Sequence, residues 1–546
     1  MQPWVIANPY GILVDAQNYA WHAGRVYDML SLGTGRILVA SETGGVWYID
    51  GAFNGVPLSN DWDWPDVHCL AFGPAGTNHI FAGCSGGLYE TDPNAPDPLH
   101  AWHPVNLPPK VSIVYRVATT VEPPRVVLAT DRGIWWAGGN AGTIYAWKQA
   151  TGLAIDAPFF GLARCDRGVI AGVRNSVAKF VGGLIAGGTV SGIYVGQWDS
   201  ADLVMKPAVI NGLTTTQIST MRSISVATCR DHLERAYAVS ADADGKVFAI
   251  LRSATGGQDW DQCSMNLEGN HDAKWDVQNF SGEREQGGWH KTISVHPIDA
   301  DVVGFGWRHA MVSKNRGDSW RLLGGEWTDP NTWDYSTSHM HDDVHAVYFE
   351  PEFTNRRLYV LSDGGVAQTQ NWDGESTDFK SAMNKNLANL QFYSTLVSRG
   401  FWGTLGISNF APVIGGGLQD NGNVWCGLVS GFLGMAEGTR RRWRLGRIYR
   451  ARRRAAGRQQ HGKRARWRGP VLMEESNVQL GPAHTAADSV WQYGRRRPQR
   501  PRSRGHPRSK ISQPRGRAYA CGLCTIAGSC GRHHEPHPAG ARWQGH

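Results

Sequence analysis

The sequence contains no run of about 18 consecutive apolar residues, so it predicts no membrane-spanning helix. It shows no sustained helical period, and 67 Gly and 27 Pro among 546 residues are too many for long helices. Its start lacks a basic segment followed by an apolar stretch, so no secretory signal is visible and the chain as it stands is expected to be cytoplasmic. Hydrophobic residues make up 41% of the chain, which excludes global disorder.

One pattern recurs along the chain. A short β-rich run is followed by a turn, a second run ending in Gly-Gly or Arg-Gly, and then an aromatic strand, as in residues 24–50 and 66–92. Copies of this pattern start near residues 24, 66, 114, 158, 220, 291, 343 and 390. The shorter spacings match the roughly 40–50 residues of a four-stranded propeller blade.

These repeats predict an all-β fold, a β-propeller of about seven or eight four-stranded blades. Single blades cannot bury both faces, so blades are expected to stack around a common axis. We assign residues 1–426 to the propeller. Residues 427–546 form a separate Arg-rich tail, expected to be poorly structured or read out of frame.

Two blade ends carry a finer polar motif. In each, a hydroxyl accepts N–H groups of a tight turn, a Gly adopts positive φ, and a Trp holds the turn against the next strand. The structural residues assigned to these turns are Ser313, Asn315, Gly317, Ser319 and Trp320 in one, and Ser253, Gly257 and Trp260 in the other.

This motif resembles the Asp-box, or BNR, repeat of the sialidase-like propeller superfamily, with Asn315 where the family usually has Asp. A longer ordered set of motifs, from His339 to Asn423, resembles bacterial BNR-repeat proteins labelled glycosyl hydrolases. The resemblance implies a propeller and a family that is mostly exported. It does not imply sialidase activity, because the Arg-Ile-Pro stretch of true sialidases is missing.

The first polar cluster spans residues 339–345 and contains His341, Asp342, Asp343 and His345. Alternation along a strand would place His341, Asp343 and His345 on one face. Such a face could ligate a divalent metal, or it could form a polar network between blades. The spacing fits no defined metal motif, so we favour the network and predict neither a metal nor a cofactor.

The second polar cluster is Gln419, Asp420 and Asn421, which directly follows an apolar strand. These side chains could line a central cleft and bind sugar hydroxyls, or they could form an Asx-turn. The nearby Asp363-Gly364-Gly365 is expected to be a plain turn.

Two functions follow from these clusters. The first is a binding module or scaffold for a carbohydrate or a protein at the propeller rim, with His341, His345, Gln419 and Asn421 as ligand-binding residues. The alternative is a glycoside hydrolase, in which two carboxylates flank a cleft. Its candidate catalytic residues are Asp342, Asp343 and Asp420.

The tail differs in charge from the body. Residues 439–546 contain 26 Lys and Arg against four Asp and Glu, whereas residues 1–438 contain 29 against 43. A genuine tail of this kind would bind nucleic acid, and Cys521, Cys524, Cys530 and His533 could hold zinc. We favour a reading-frame slip in GC-rich DNA, which turns Gly and Asp codons into Arg codons. A slip would leave the ring of blades incomplete, with exposed sheet edges.

Overall fold

The structure, a computed structural model, describes these residues: 11–15, 20–74, 76–139, 144–153, 157–175, 177–181, 184–199, 202–268, 287, 291–323, 340–350, 357–374, 378–398, 413–419, 421, 423–429 and 432–434. The basic tail beyond residue 434, the four residues proposed to bind zinc and the catalytic candidate Asp420 lie outside them.

The first half of the chain forms a hairpin and three four-stranded antiparallel sheets. The hairpin consists of β1 (Ile12–Asp15) and β2 (Ala20–His22). Blade 1 consists of β3 (Val26–Ser31), β4 (Ile37–Ser41), β5 (Gly45–Ile49) and β6 (Gly55–Pro57). Blade 2 consists of β7 (Val67–Gly73), β8 (Gly76–Cys84), β9 (Leu88–Thr91) and β10 (Trp102–Pro104), with a 3-10 helix at Pro98–His100. Blade 3 consists of β11 (Val114–Thr120), β12 (Arg125–Thr130), β13 (Gly133–Gly138) and β14 (Lys148–Gln149).

Blades 4 and 5 carry additions to the basic sheet. Blade 4 consists of β15 (Phe159–Cys165), β16 (Gly168–Val173), β19 (Ile193–Asp199) and β20 (Asp202–Pro207), interrupted by a hairpin of β17 (Val177–Val181) and β18 (Leu184–Val190). Blade 5 consists of β22 (Arg222–Thr228), β23 (Ala236–Ala241), β24 (Val247–Ser253) and β25 (Asp259–Gln262). Its outer strand β25 pairs in parallel with β21 (Val209–Ile210), and helix α1 (Thr215–Thr220) precedes β22.

The remaining strands form blades 6 and 7 and one further sheet. Blade 6 consists of β26 (Thr292–Val295), β27 (Val303–Gly306), β28 (Ala310–Ser313) and β29 (Arg321–Leu322). Blade 7 consists of β30 (Val344–Phe349), β31 (Leu358–Ser362) and β32 (Gly365–Thr369), followed by a 3-10 helix at Ala382–Asn386. The last sheet consists of β33 (Phe392–Ser398), β34 (Val413–Leu418), β35 (Asn423–Val429) and β36 (Phe432–Gly434).

The second strand of a blade shows why the sequence folds this way. Strands β4, β16, β23 and β31 are buried at every residue. Both faces of such a strand lie against neighbouring blades, so its sequence is a nearly continuous apolar run, as in Ile37-Leu38-Val39-Ala40. The core is accordingly divided into wedges. Seven buried clusters each join two adjacent blades, including one between blades 7 and 1.

The ring closes between the first and seventh blades, because the innermost strand β3 packs against both β30 and β31. Asn389 holds this junction. Its side chain accepts the Gly24 N–H at 2.9 Å and donates to the Gly24 carbonyl at 3.2 Å and to Ser41 Oγ at 3.0 Å. Closure is therefore complete by residue 389, and the incomplete ring that a reading-frame slip would leave is not seen.

The structure confirms the predicted all-β propeller and sets its ring at seven blades. The repeat that starts near residue 390 forms the last sheet, which comes after the closed ring rather than within it. Within the described ranges, no helix is both long and apolar enough to cross a membrane.

Candidate functional site at the axial mouth

The innermost strands share an irregularity near their first residues. Six of the seven have a β-bulge there, at which one or two unpaired residues lie between consecutive paired positions. A bulge breaks the alternation of a strand and re-aims a side chain. In five blades the residue placed at the bulge is aromatic or His: Tyr27, His68, Tyr115, Phe160 and His345.

These five side chains, which we call the axial ring, contact one another from blade to blade. Their ring centroids lie 4.9 Å apart for His345 and Tyr27, 5.6 Å for Tyr27 and His68, and 5.9 Å for both His68–Tyr115 and Tyr115–Phe160. Because the strands that carry them surround the axis, the axial ring lines one mouth of the central channel.

A buried carboxylate, Asp363, lies beside His345 in this mouth. Arg25 donates to it from Nε at 2.5 Å and from Nη2 at 2.9 Å, and His345 Nε2 lies 2.6 Å from Oδ1. Burial alone would raise the pKa of Asp363, but the hydrogen bonds from His345 and Arg25 hold it well below its usual range. Burial also lowers the pKa of His345, so a neutral imidazole donates to an ionised carboxylate.

The last sheet contributes to the same mouth through the turn that follows β34. Gln419 Nε2 lies 3.4 Å from Asp363 Oδ2, and Asn421 Nδ2 donates to the Asp363 carbonyl at 2.9 Å. Just before β33, Gln391 donates to Glu42 Oε2 at 2.6 Å, and the same oxygen accepts from Arg25 at 2.6 Å. Amide side chains thus hold both carboxylates of this side.

The opposite side of the mouth is basic. Arg116 and Lys291 lie over the Phe160 ring, at 5.4 Å and 4.2 Å from its centroid, and Arg174 lies 4.6 Å from the centroid of Tyr115. Burial, with Arg174 and Arg116 nearby, lowers the pKa of Lys291 well below its usual value. The mouth is therefore polarised, with carboxylates near His345 and cations near Phe160.

The cluster at residues 339–345 is arranged differently from the expected single face. Strand β30 begins only at Val344, and Asp343 has a positive φ of 66°. The Asp342 carboxylate lies 3.2 Å from His309 Nδ1 and 3.7 Å from Arg308 Nε. The backbone carbonyl of Asp342 lies 2.6 Å from His341 Nδ1. Only His345 of this cluster belongs to the axial ring. The contacts of Asp342 with Arg308 and His309 form a polar network between blades 6 and 7.

The two polar turns lie away from the mouth, at the ends of blades 5 and 6. Ser253 Oγ accepts the Gly257 N–H at 3.0 Å, and Trp260 Nε1 donates to the Gly257 carbonyl at 2.7 Å. Ser313 Oγ accepts the Gly317 N–H at 2.8 Å.

The second turn has two further bonds. Asn315 Oδ1 accepts the Ser319 N–H at 2.9 Å, while Trp320 Nε1 donates to the Ser264 carbonyl at 2.9 Å. Gly257 and Gly317 have φ of 86° and 85°, a conformation that favours Gly.

Most residues of the mouth were not predicted from the sequence. Sequence analysis treated Asp363 as part of a plain turn and did not consider Arg25, Glu42 or the basic residues. A signal for the axial ring is nevertheless present. The second residue of the first strand is Tyr27, His68, Tyr115, Phe160 and His345 in five repeats, which aligning the repeats with one another would have revealed.

No family model matches this chain, and none of the curated proteins matches it. Solved structures do match. The alignment with a GH74 enzyme from Niastella koreensis has 14% identity and a TM-score of 0.50, and covers 76% of this chain and 60% of that one. The alignment with a GH74 xyloglucanase from Xanthomonas campestris has 13% identity and a TM-score of 0.49, and covers 72% and 58%.

YCF48 from Cyanidioschyzon merolae is 12% identical with a TM-score of 0.40, over 66% of this chain and 98% of that one. This chain thus spans about three-fifths of the length of the two GH74 proteins. At such identities the likeness shows the fold alone, a β-propeller.

Proposed function

We propose that this chain is a binding propeller that holds a saccharide at the axial mouth. The observation that carries the proposal is the axial ring, in which five blades place an aromatic or imidazole side chain at the same bulge. If the bulges served only the structure of the blade, many kinds of side chain could occupy them, and no aromatic preference would be expected. Five flat side chains around one opening suit a ligand with flat apolar faces and polar edges.

A sugar has this shape, with C–H faces and hydroxyl edges. Tyr27, His68 and Phe160 are only partly buried, and the contacts within the axial ring are tilted or edge-on rather than stacked. Carboxylate and amide groups beside His345 supply acceptors and donors for hydroxyls, through Glu42 and Gln419.

The carboxylates described at the mouth support binding over hydrolysis. A glycosidase needs one carboxyl group that stays protonated near neutral pH to act as the acid. Asp363 is held in its ionised form by Arg25 and His345, and Glu42 is engaged by Arg25 and Gln391. Asp363 is therefore not suited to donate a proton to a leaving group.

The polar turns support a finer assignment, to the sialidase-like propellers with Asp-box repeats. In both turns a Ser hydroxyl, a Gly at positive φ and a Trp occur in the same order with closely similar hydrogen bonds. This assignment concerns ancestry and blade construction. It assigns no catalytic role to the turns.

The test is affinity electrophoresis of the whole chain in gels that contain one soluble polysaccharide each, both neutral and acidic. The proposal expects retardation in at least one gel. Phe160→Ala should weaken binding roughly tenfold, because a stacked ring contributes about 0.5–1.5 kcal/mol beyond its buried area.

The matched control is Trp147→Ala, which removes a ring beside the outer strand β14 of the neighbouring blade 3. This variant should migrate as the parent protein does. Absence of retardation in every gel, or equal loss in both variants, would contradict the proposal. Release of reducing sugar from a retarding polysaccharide would favour the hydrolase instead.

A further inference from the structure

The basic side of the mouth has a property that the proposed function does not require. Arg116, Arg174 and Lys291 come from three different blades and converge on two adjoining rings, Tyr115 and Phe160. The Arg116 and Arg174 guanidinium groups repel each other, and with burial they lower the pKa of Lys291. Burying such groups costs free energy unless negative charge compensates.

Within the described ranges that compensation is incomplete. No carboxylate there forms an ion pair with any of the three basic side chains. Arg116 Nη1 donates to the carbonyls of His68 and Tyr115 at 3.1 Å and 2.8 Å, and Lys291 Nζ donates to the Gly287 carbonyl at 2.6 Å.

The carboxyl group of Asp28 interacts electrostatically with Arg116, but its hydrogen bonds go to other groups. Its oxygens accept the N–H groups of Met29 and Leu70 at 2.9 Å and 3.1 Å. On the far side of the mouth, Asp363 and Glu42 share Arg25. Within the basic cluster, Arg116 and Arg174 are partly exposed, whereas Lys291 is buried.

We propose that this cluster seats the negative group of an acidic saccharide, a uronate carboxylate or a sulfate ester, while the axial ring holds its sugar rings. The two guanidinium groups provide planar donors for an oxyanion, and the buried Lys291 amine lies beside them, over the Phe160 ring. This inference rests on the proposed saccharide binding and names its ligand class.

The experiment is isothermal titration calorimetry of the whole chain with trigalacturonic acid, its methyl ester, and a sulfated trisaccharide. The two galacturonate probes have the same rings and differ in charge. The acid should bind at least tenfold more tightly than the ester, because charge-assisted hydrogen bonds are the stronger ones. Comparing the acid with the sulfated probe identifies which anion the cluster prefers.

The decisive variants are Arg116→Gln and Arg174→Gln, each expected to weaken binding of the charged probe at least tenfold and to leave the ester unchanged. Arg167→Gln is the matched control. It removes the same charge from an exposed position just before β16, the strand that ends beside Arg174. Binding by this variant should equal that of the parent at the same salt concentration.

The two proposals fail in distinguishable ways. If acid and ester bind equally, or if Arg167→Gln weakens binding as much as Arg174→Gln does, the inference about the anion is overturned while saccharide binding stands. If none of the three probes binds and no polysaccharide retards the chain, both are overturned.

Discussion

Arg25 and Asp363 are 338 residues apart in the sequence, yet their side chains form a two-point ion pair at the junction of the first and seventh blades. Both side chains are almost completely buried. Their pairing requires the ring to be closed, so this contact links the stability of the propeller to the geometry of the mouth.

We expect Asp363→Asn to lower the free energy of unfolding by roughly 3–5 kcal/mol, because it leaves a buried guanidinium with half of its charge compensation. Urea denaturation followed by tryptophan fluorescence measures this. The control is Asp231→Asn, which removes the partner of Arg230 in an exposed pair and should leave stability unchanged. If the two substitutions lowered the free energy of unfolding equally, the buried pair would stabilise the fold no more than the exposed pair does.

Acid should destabilise the protein through the same group. The pKa of Asp363 is lowered in the folded state, so its contribution is fully present above its unfolded value, about 3.9, and is lost as the pH falls below it. The lowered pKa of His345 acts in the same direction, starting below about 6.5. Stability measured from pH 7 to pH 3 should therefore decline. The decline should be shallower in Asp363→Asn, and identical slopes would contradict this.

Comparing Gly317, in a polar turn, with Gly76 separates two costs of adding a side chain at a glycine: the strain of a left-handed backbone and the steric clash of the new Cβ with its neighbours. Gly317 and Gly76 have nearly the same φ, 85° and 88°. A Cβ at Gly317 would lie 2.7 Å from Cys263 Sγ, whereas a Cβ at Gly76 would meet nothing within 4 Å. Gly76→Ala should cost about 1–2 kcal/mol for the left-handed backbone, and Gly317→Ala should cost more. Thermal unfolding of both variants checks the order, and the reverse order would exclude crowding at the turn.

Ligand binding should take up protons if an anion occupies the basic cluster. Lys291 faces the Phe160 ring, Arg116 and Arg174, and its pKa is lowered in the free protein. A bound anion favours the ammonium form and raises that pKa. Affinity should therefore fall as the pH rises between the free and bound values. Calorimetry in buffers of different ionisation enthalpy measures the uptake, which Lys291→Met should abolish. Uptake that persists in this variant would place the proton elsewhere.

The sequence was sufficient to predict the blades because each one repeats a local pattern. The predicted repeat starts near residues 66, 114, 158 and 343 precede or coincide with the inner strands at Val67, Val114, Phe159 and Val344. The number of blades in the ring was harder to predict. A repeat near residue 390 has the same pattern as the others, and only the packing of β3 against β30 excludes it from the ring.

The residues of the site were harder to predict than the blades, because some of them come together only through contacts between distant repeats. His345, Gln419 and Asn421 were singled out because they lie in polar clusters, and the structure places all three within contact of Asp363. Their proposed role in ligand binding stays a prediction. Asp363 itself was missed, since its partner Arg25 lies at the other end of the repeat array and no local pattern joins them.

The bulges at the start of the inner strands have an evolutionary consequence. A residue in a bulge is outside the alternation that fills the wedges between blades, so its identity can change without repacking the interior. Each duplication of a blade would have copied one such permissive position onto the rim of the opening. A new preference could then arise by exchanging Tyr27, His68 or Phe160 singly, while the scaffold that presents them stays intact.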